Sequence, residues 1–478
     1  MSAQPQESAD IDVLIVGAGI AGMSAAVAAA EAVSDGAQPR VVVIDRSPEI
    51  EAGGNTKWSG ATLRLEDVYD VGPSFVGDLL SFTDGEIPPW YAERLAELVP
   101  EAMDWIQSHG VRLRRAQTYF INATRSRLEP VGGGEGLLRC LHASAQRLGV
   151  EMRYMTTAQE LVRSDDGGVA GVVVSGPDGT SAIRARTVVI ASGGFQGNQA
   201  MMDRELGTEN PPLRPIAAGG YANRGEGIEM ALALGARRSG DWTSFHAEPI
   251  DPRSLDPEAV VMTFPFGILV NERGERFVDE ATATADECYE QVARTIWRQP
   301  GGQAYVITDE RLKECDNWQK GLLTSVKPYV ADSIEELAGL IGVPADRLAS
   351  TVLSFNEAVL PGEYDWRRPD GKSTGGISPA KSNWAMPMES PPFMAYPIVC
   401  SIVFTFGGLA VDEQSLVLRT DGSRFPNLYA VGECTGIYRH KYPGGSSVLR
   451  GLVFGREVGR HAVGPSLGQP DEPEQVRS

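Results

Sequence analysis

Gly17, Gly19 and Gly22 stand in the spacing G-x-G-x-x-G directly behind the apolar run Ile11–Val16 (IDVLIV). That spacing suits a pyrophosphate. The first glycine turns the chain, the second lets backbone N–H groups approach an anion, and the third lets the next helix pack on the strand. The Ala-rich segment 23–33 supplies that helix, whose first turn carries partial positive charge. Asp45 closes a second β-branched run, 40–45 (RVVVID), where a carboxylate can accept from a ribose hydroxyl. A glycine motif alone would fit a tight structural turn equally well. Strand, helix and acidic terminus in register point to a dinucleotide.

NAD and FAD share this opening, so other segments must decide between them. Residues 53–60 (GGNTKWSG) follow soon after Asp45, and their glycines and small polar groups suit close backbone contact with an extended cofactor. Glu433 follows the strand run 427–430 in the segment 431–433 (VGE), where a carboxylate can accept from sugar or ribityl hydroxyls. Residues 442–447 (YPGGSS) run into a helix whose free N–H groups could hold charge on a carbonyl oxygen of a flavin. Only one strand–GxGxxG–helix fingerprint is present, so a second site for NAD(P)H has no support.

The elements that must position these groups read as an α/β protein: a Rossmann-like nucleotide domain in two sequence pieces with an α+β capping domain inserted between them. The expected division is 11–243, 244–393 and 394–465, with flexible termini at 1–10 and 466–478. Near-continuous apolar strands imply a parallel sheet covered on both faces. Helices are expected at 89–107, 137–148, 228–234, 335–341, 345–360 and 447–462, and strands at 169–174, 181–190, 398–404, 416–418 and 427–431. Gly36 is expected in the loop after the first helix. The Pro-, Gly- and Ser-rich stretch 361–397 reads as a long ordered loop.

At 478 residues the chain is too long for one compact domain. Its net charge of −20 speaks against nucleic acid, which clustered Lys and Arg would bind. The five cysteines are scattered and form no CxxC, so structural zinc, c-type haem and a disulfide framework lack support. Residues 1–10 have neither a basic start nor an apolar core, and no run of about 20 apolar residues occurs. A cytoplasmic protein without a membrane span is expected.

Seven segments carry a wider resemblance: VGAGIAGMSAA (16–26), GGNTKWSGA (53–61), ASGGF (191–195), GERFVDE (274–280), TFGGLAVD (405–412), NLYAVGE (427–433) and KYPGGSSVLRGLVFGR (441–456). In order and spacing the chain resembles the flavoprotein family of fumarate reductases, succinate dehydrogenases and 3-ketosteroid dehydrogenases over roughly residues 11–463. Within that family it is most similar to the FAD-dependent tricarballylate dehydrogenase branch. The resemblance implies one extended FAD, its ADP half on Gly17, Gly19, Ala21, Gly22, Asp45 and Arg46. The flavin would lie near Gly54, Asn55, Thr56, Ser59, Gly60 and Ala61 and near Ser447, Val448 and Leu449, with Gly193, Gly194 and Glu433 completing the contacts. Succinate dehydrogenases attach FAD through a His at the position similar to Asn55; an amide forms no such link, so noncovalent FAD is expected.

Departures from the family bear on substrate. Where fumarate reductases carry an Arg proton donor after the RFVxE segment, this chain has ATATA at 281–285. Phe404 replaces a His, and Tyr442-Pro443 stands where an Arg is expected. The Tyr-Pro-Gly of residues 442–444 resembles the tricarballylate and ketosteroid branches; in the latter this Tyr donates to the substrate carbonyl.

The expected chemistry interconverts a saturated C–C bond and an α,β-unsaturated carboxylate or carbonyl, by hydride exchange with flavin N5. It needs an acid or base on the adjacent carbon and a donor or cation for the developing enolate-like charge. Tyr442 is the first choice for that donor, with simple packing as its alternative. His246 and His440 are candidates, each of which a satisfied structural His would also explain. Arg439 and Arg294 suit a substrate carboxylate, Glu280 suits ion pairing better than proton transfer, and Tyr289 is a further acid candidate. A small polycarboxylate-like acid is the leading substrate, an apolar enone the second reading. A non-catalytic FAD-binding or electron-transfer subunit is the third. The expected partners are a small-molecule substrate and an electron acceptor that is a quinone, another flavoprotein or oxygen.

Overall fold

The computed structural model describes residues 11–32, 38–83, 85, 87–122 and 127–463. The expected loop at Gly36 and the two flexible termini lie outside those residues. In chain order the first elements are β1 (Ile11–Val16), α1 (Ile20–Glu31), β2 (Val41–Ile44), α2 (Pro89–Ser108), α3 (Gly133–Arg147), β3 (Glu151–Arg153), β4 (Thr157–Arg163), β5 (Val169–Gly176) and β6 (Gly179–Ile190). After them come β7 (Phe245–Ile250), β8 (Ile268–Asn271), α4 (Ala285–Trp297), β9 (Gln303–Thr308), β10 (Phe393–Thr405), β11 (Leu416–Leu418), β12 (Arg424–Ala430) and α5 (Ser447–His461).

The first sheet runs β11–β12–β6–β1–β2–β3, parallel from β12 to β3, with β11 antiparallel at its edge. Val13 pairs with Val41 on one side and Thr187 on the other, which sets the glycine turn at the carboxyl end of the sheet. Burial on both faces explains why β1 and β2 read as unbroken apolar runs. The twelve residues of β6 serve two ladders: its first half closes an antiparallel β4–β5–β6 extension and its second half joins the parallel sheet.

The first and last helices meet with their backbones in near contact. Gly451, Gly455 and Gly459 recur at four-residue spacing on α5, one face of a helix. A β-carbon at Gly455 would sit 2.4 Å from the Ala21 carbonyl oxygen, and one at Gly459 2.3 Å from that of Ala25. The alanines of α1 supply the matching small surface. This packing fixes the starts of both helices against one cleft.

The second sheet, β7–β10–β9–β8, is antiparallel, with Tyr329–Ala331 and Arg214–Pro215 also pairing β10. Sequence reading saw only two small helices in most of this region, and these are Ile334–Ile341 and Ala345–Ala358. Its strands were hidden because all six residues of β7 are buried, His246 and Glu248 among them, so no period-two alternation exists to read. The stretch 361–397 is irregular only as far as Phe393, where β10 begins. β10 starts in the capping sheet and ends at Thr405, beside the cofactor cleft, so one strand ties the two units together. Among the described residues no helix is long and apolar enough to cross a membrane.

Candidate active site

One continuous cleft, partly open to solvent, runs from Gly17 along the carboxyl end of the parallel sheet to Trp58, Glu258, Phe404 and Ser447. At its nucleotide end the three motif glycines have different reasons to be glycine. Gly17 has φ +110°, and a β-carbon there would lie 2.5 Å from the Ala191 carbonyl oxygen. A β-carbon at Gly22 would lie 1.9 Å from the Gly17 carbonyl oxygen. At Gly19 the nearest atom would be 3.7 Å away, so protein packing leaves room for a side chain. Packing requires the outer two glycines; the middle one keeps the cleft clear for a ligand.

Asp45 lines the cleft and also holds the glycine loop: Oδ2 accepts from the Ala18 N–H (2.8 Å) and Oδ1 from the Ser47 N–H (2.9 Å). A carboxylate has lone pairs to spare for a ribose hydroxyl. Arg46 is tied to Glu226 (2.6 Å) and to the Ala222 carbonyl (3.2 Å). Thr56 Oγ1 accepts from the Ile20 N–H at 3.2 Å, joining the 54–58 turn to the start of α1.

Farther along, Gly54, Asn55, Ser59 and Gly193 line the cleft. Asn55 donates from Nδ2 to the Val403 carbonyl (2.8 Å), while its Oδ1 and the Ser192 hydroxyl are buried without a partner. Glu433 accepts from Thr405 N–H (3.2 Å) and Asn223 Nδ2 (3.0 Å), and burial pushes its carboxyl up to about 7. Gly194 packs against it: a β-carbon there would be 2.2 Å from Glu433 Oε1. Ser447, Val448, Arg450 and Gly451 of α5 close the far wall. The side chains of Ala61 and Leu449 point into the core, at 2% and 0% exposure, so at these two expected positions only backbone can face the cofactor. Leu449 has only its backbone to offer at the start of α5. Orphaned polar atoms, an open glycine position and two carboxylates at strand ends fit FAD, and these are the residues that would hold it.

The end of the cleft toward the capping unit is acidic and aromatic. His246 is buried, its Nδ1 2.8 Å from Glu290 Oε1 and its Nε2 3.6 Å from Glu248 Oε1; burial lowers the imidazole from its ordinary range. Glu248 Oε1 accepts from the Tyr119 hydroxyl at 3.2 Å, and its Oε2 is buried without a partner. Burial, and then the neighbouring Glu258, push the Glu248 carboxyl up to about 8. Burial pushes Glu258, which opens on the cleft, up to about 7. Tyr289 is buried, its ring centroid 5.8 Å from that of His246 and 5.5 Å from that of Phe120; desolvation raises its phenol well above the ordinary value.

Tyr442 lies against His246 and Phe404, with centroid separations of 4.5 and 5.0 Å. Its hydroxyl accepts from the N–H groups of Gly445 (3.0 Å) and Ser447 (3.1 Å) and lies 2.9 Å from Ser447 Oγ. The expected direct donor is therefore seated one layer behind the cleft, and Ser447 is the hydroxyl of the pair that lines it.

Helix α4 clasps this region with one face. Thr284 and Glu287 form its capping box, which is the local work of the 281–285 segment that lacks an Arg. Asp286, Glu290 and Arg294 then recur every four residues. Both carboxylate oxygens of Asp286 accept from the one nitrogen Nη2 of Arg127 (2.8 and 3.0 Å), Glu290 accepts from His246 and from the Tyr442 N–H (3.0 Å), and Arg294 donates to the His440 carbonyl (2.6 Å) and Ser244 Oγ (3.2 Å).

Other expected site residues are placed elsewhere or are already engaged. The His440 ring is 60% exposed, 3.5 Å from Asp241, because the chain turns outward there at φ +54°. Glu280 is wholly buried within the capping unit, bound by Arg276 (2.7 Å), 3.8 Å from Lys381 and accepting from the Leu269 N–H, so it acts as a structural ion pair. Arg294 is committed to the α4 clasp, and the half-buried Arg439 has partners of its own. Sequence reasoning missed Tyr119, Glu248, Glu258 and Glu290. Glu248 alone left a signal, an acid inside the otherwise unremarked FHAEPI segment that proves to be a buried strand.

Comparison with known proteins bears on the family and the fold. The FAD binding domain family matches residues 12–449. The chain is 28% identical over 484 residues to a probable fumarate reductase of Shewanella frigidimarina, covering 98% of this chain and 77% of that one. It is 29% identical over 450 residues to 4-oxocyclohexanecarboxylate 2-dehydrogenase of Sinomonas cyclohexanicum, covering 84% and 75%. The structure of 3-ketosteroid-delta4-(5alpha)-dehydrogenase from Rhodococcus jostii RHA1 superposes with a TM-score of 0.72 at 26% identity, covering 96% of this chain and 98% of that one.

Proposed function

Since the chain belongs to the FAD binding domain family, we propose that it interconverts a saturated C–C bond and an α,β-unsaturated carbonyl compound, with a neutral ketone or enone as its preferred substrate. The activity class is that of an FAD-dependent oxidoreductase acting on CH–CH groups, as in the related fumarate reductase and 4-oxocyclohexanecarboxylate dehydrogenase. When bound, noncovalently, FAD supplies the two-electron exchange. The chain's residues bind it along the cleft, shut water out under the capping unit and place polar groups around the reacting carbons.

The observation that carries the substrate reading is the charge at the closed end of the cleft. Glu248, Glu258 and Glu290 converge there. The nearby described cations are already matched, Arg127 by Asp286 and Arg294 by Glu290. A polycarboxylate, the leading expectation from sequence, would bring further negative charge beside these acids, where Arg127 and Arg294 are already engaged; Arg450, on the α5 wall of the cleft, bonds to Thr435 instead of an acid. A ketone oxygen needs only a donor, and the Tyr442–Ser447 hydroxyl pair at the start of α5 provides one. The capping unit and parallel sheet meet there around Phe404, Trp58 and Ile216, which suits an apolar ring.

Purified protein is expected to be yellow. Under anaerobic conditions saturated cyclic ketones should bleach its visible absorbance, and enones should restore it after photoreduction. Bleaching by a tricarballylate-like acid and by no ketone would overturn the carbonyl preference. A polypeptide that stays colourless when supplied with FAD would overturn the reading as a whole. The electron acceptor we place among quinones, another flavoprotein and oxygen, and stopped-flow reoxidation against each would identify it.

A further inference from the structure

Adding or removing hydrogen across a C–C bond moves a proton as well as a hydride, and the sequence-derived candidates leave that proton without a carrier. His246 does not line the cleft and has Nδ1 held by Glu290; Tyr442 sits behind Ser447; Glu280 and His440 are elsewhere. Two carboxyls remain. Glu258 lines the cleft at its substrate end, with the Gly60 N–H donating to it. Its backbone has φ +54°, a left-handed conformation that residues with a β-carbon seldom adopt and that clusters at functional sites. The turn is locked, since the flanking backbone pairs Asp251 with Ala259 and Val261 with Pro249. Glu248, on β7, is near enough for the charge of Glu258 to push its carboxyl up.

Among the described residues neither carboxyl is paired with a Lys or Arg. The groups facing Glu248 are the Tyr119 hydroxyl at 3.2 Å, the His246 ring at 3.6 Å, and the carboxylates of Glu258 and Glu290. Its Oε2, buried and unpartnered, is an oxygen with room for a proton. Neighbouring carboxyls without a cation, Glu248 buried and Glu258 half-buried, resist ionising together, which favours one shared proton near neutral pH. Burial raises both groups, to about 7 for Glu258 and about 8 for Glu248, a range that suits general acid–base work.

We propose that Glu258 is the catalytic residue that exchanges the substrate proton, and that Glu248, oriented by Tyr119, is the positioning partner that shares it. The inference rests on the reading of the site as a C–C redox centre. In the oxidising direction the Cα–H bond breaks and an O–H bond forms on the Glu258 carboxylate. The released electron pair becomes the new C=C bond as the β-carbon gives up its hydride to FAD, the two-electron acceptor. In the reducing direction the O–H bond of Glu258 breaks and its proton goes to Cα.

The test compares wild-type holoprotein with Glu258→Gln, Glu258→Asp and Glu248→Gln. Before any substrate is added, infrared titration over roughly pH 5 to 9 reads the carbonyl stretch of protonated carboxyls. The wild type should hold such a band through neutral pH, and Glu258→Gln and Glu248→Gln should each alter it. With a ketone that bleaches the wild type, Glu258→Gln should keep its FAD yet reduce it at least ~100-fold more slowly. Glu258→Asp should recover part of that rate, and Glu248→Gln should shift the pH profile more than the maximum rate. A Glu258→Gln rate within threefold of wild type at an unchanged pH profile would overturn the proposal. So would a wild-type spectrum in which both carboxyls are ionised at pH 7. If no substrate bleaches the flavin, the C–C redox reading fails, and the role given to Glu258 with it; the infrared band still decides whether the pair holds a proton.

Discussion

Replacing Glu248 by Gln should make the protein more resistant to alkaline destabilisation, and the size of the effect follows from burial. The Glu248 carboxyl is wholly enclosed and pushed up to about 8 from an ordinary 4.5. Between those values the folded state binds a proton that the unfolded state has released. A raised carboxyl pKa therefore makes stability fall as pH rises through that window. At about 1.4 kcal/mol per pH unit the penalty is below about 1 kcal/mol at pH 5 and about 3 kcal/mol at pH 7. An amide cannot ionise and so removes the slope. It also places an N–H₂ where the unpartnered Oε2 now lies, at a cost of about 1–3 kcal/mol that does not depend on pH. The diagnostic is thus a difference of differences: from pH 5 to pH 7 the variant should gain about 2.5 kcal/mol on the wild type. For a chain of 478 residues, at roughly 2.1 cal/mol/K per residue, that is about 2.5 °C in the relative midpoint of thermal unfolding. Scanning calorimetry of both holoproteins at the two pH values measures it. Parallel pH dependence of the two midpoints would refute the reasoning, because it would mean that Glu248 is ionised in the fold at neutral pH.

Two further outcomes follow from the geometry. Gly19→Ala should fold with a near-normal midpoint and lose FAD, since its β-carbon meets only the cleft, whereas Gly22→Ala should impair folding itself through the 1.9 Å approach to the Gly17 carbonyl; flavin absorbance per polypeptide together with the unfolding midpoint separates the two. Asp286→Asn breaks a pair whose side chains are only 13% and 8% exposed, leaving Arg127 poorly matched at a cost of about 3 kcal/mol, and it should loosen α4 from the 440–442 segment, which limited proteolysis of the holoprotein would detect.

The cofactor cradle was legible in sequence because its parts are local backbone devices. A glycine spacing, a carboxylate at a strand end and small residues at a helix start each state their geometry within a few residues, and the strands around them are unbroken apolar runs. Side-chain direction was not legible there: that Ala61 and Leu449 turn their side chains into the core depends on packing against distant elements. Sequence also identified Tyr442 and His246 as residues of interest; the layer in which each sits came from Ser447 and Glu290, neither of which sequence analysis had connected to them.

The acid pair lay beyond sequence reading for a physical reason. Tyr119, Glu248, Glu258 and Glu290 come from a loop, a strand, a turn and a helix far apart in the chain, and no spacing rule links them. Their chemistry is a property of desolvation: the same glutamates on an exposed surface would be ordinary ionised carboxylates. The order of residues determined that this chain would grip a dinucleotide. Only the closing of the capping unit over the sheet decided which of its acids would be kept from water and left holding a proton.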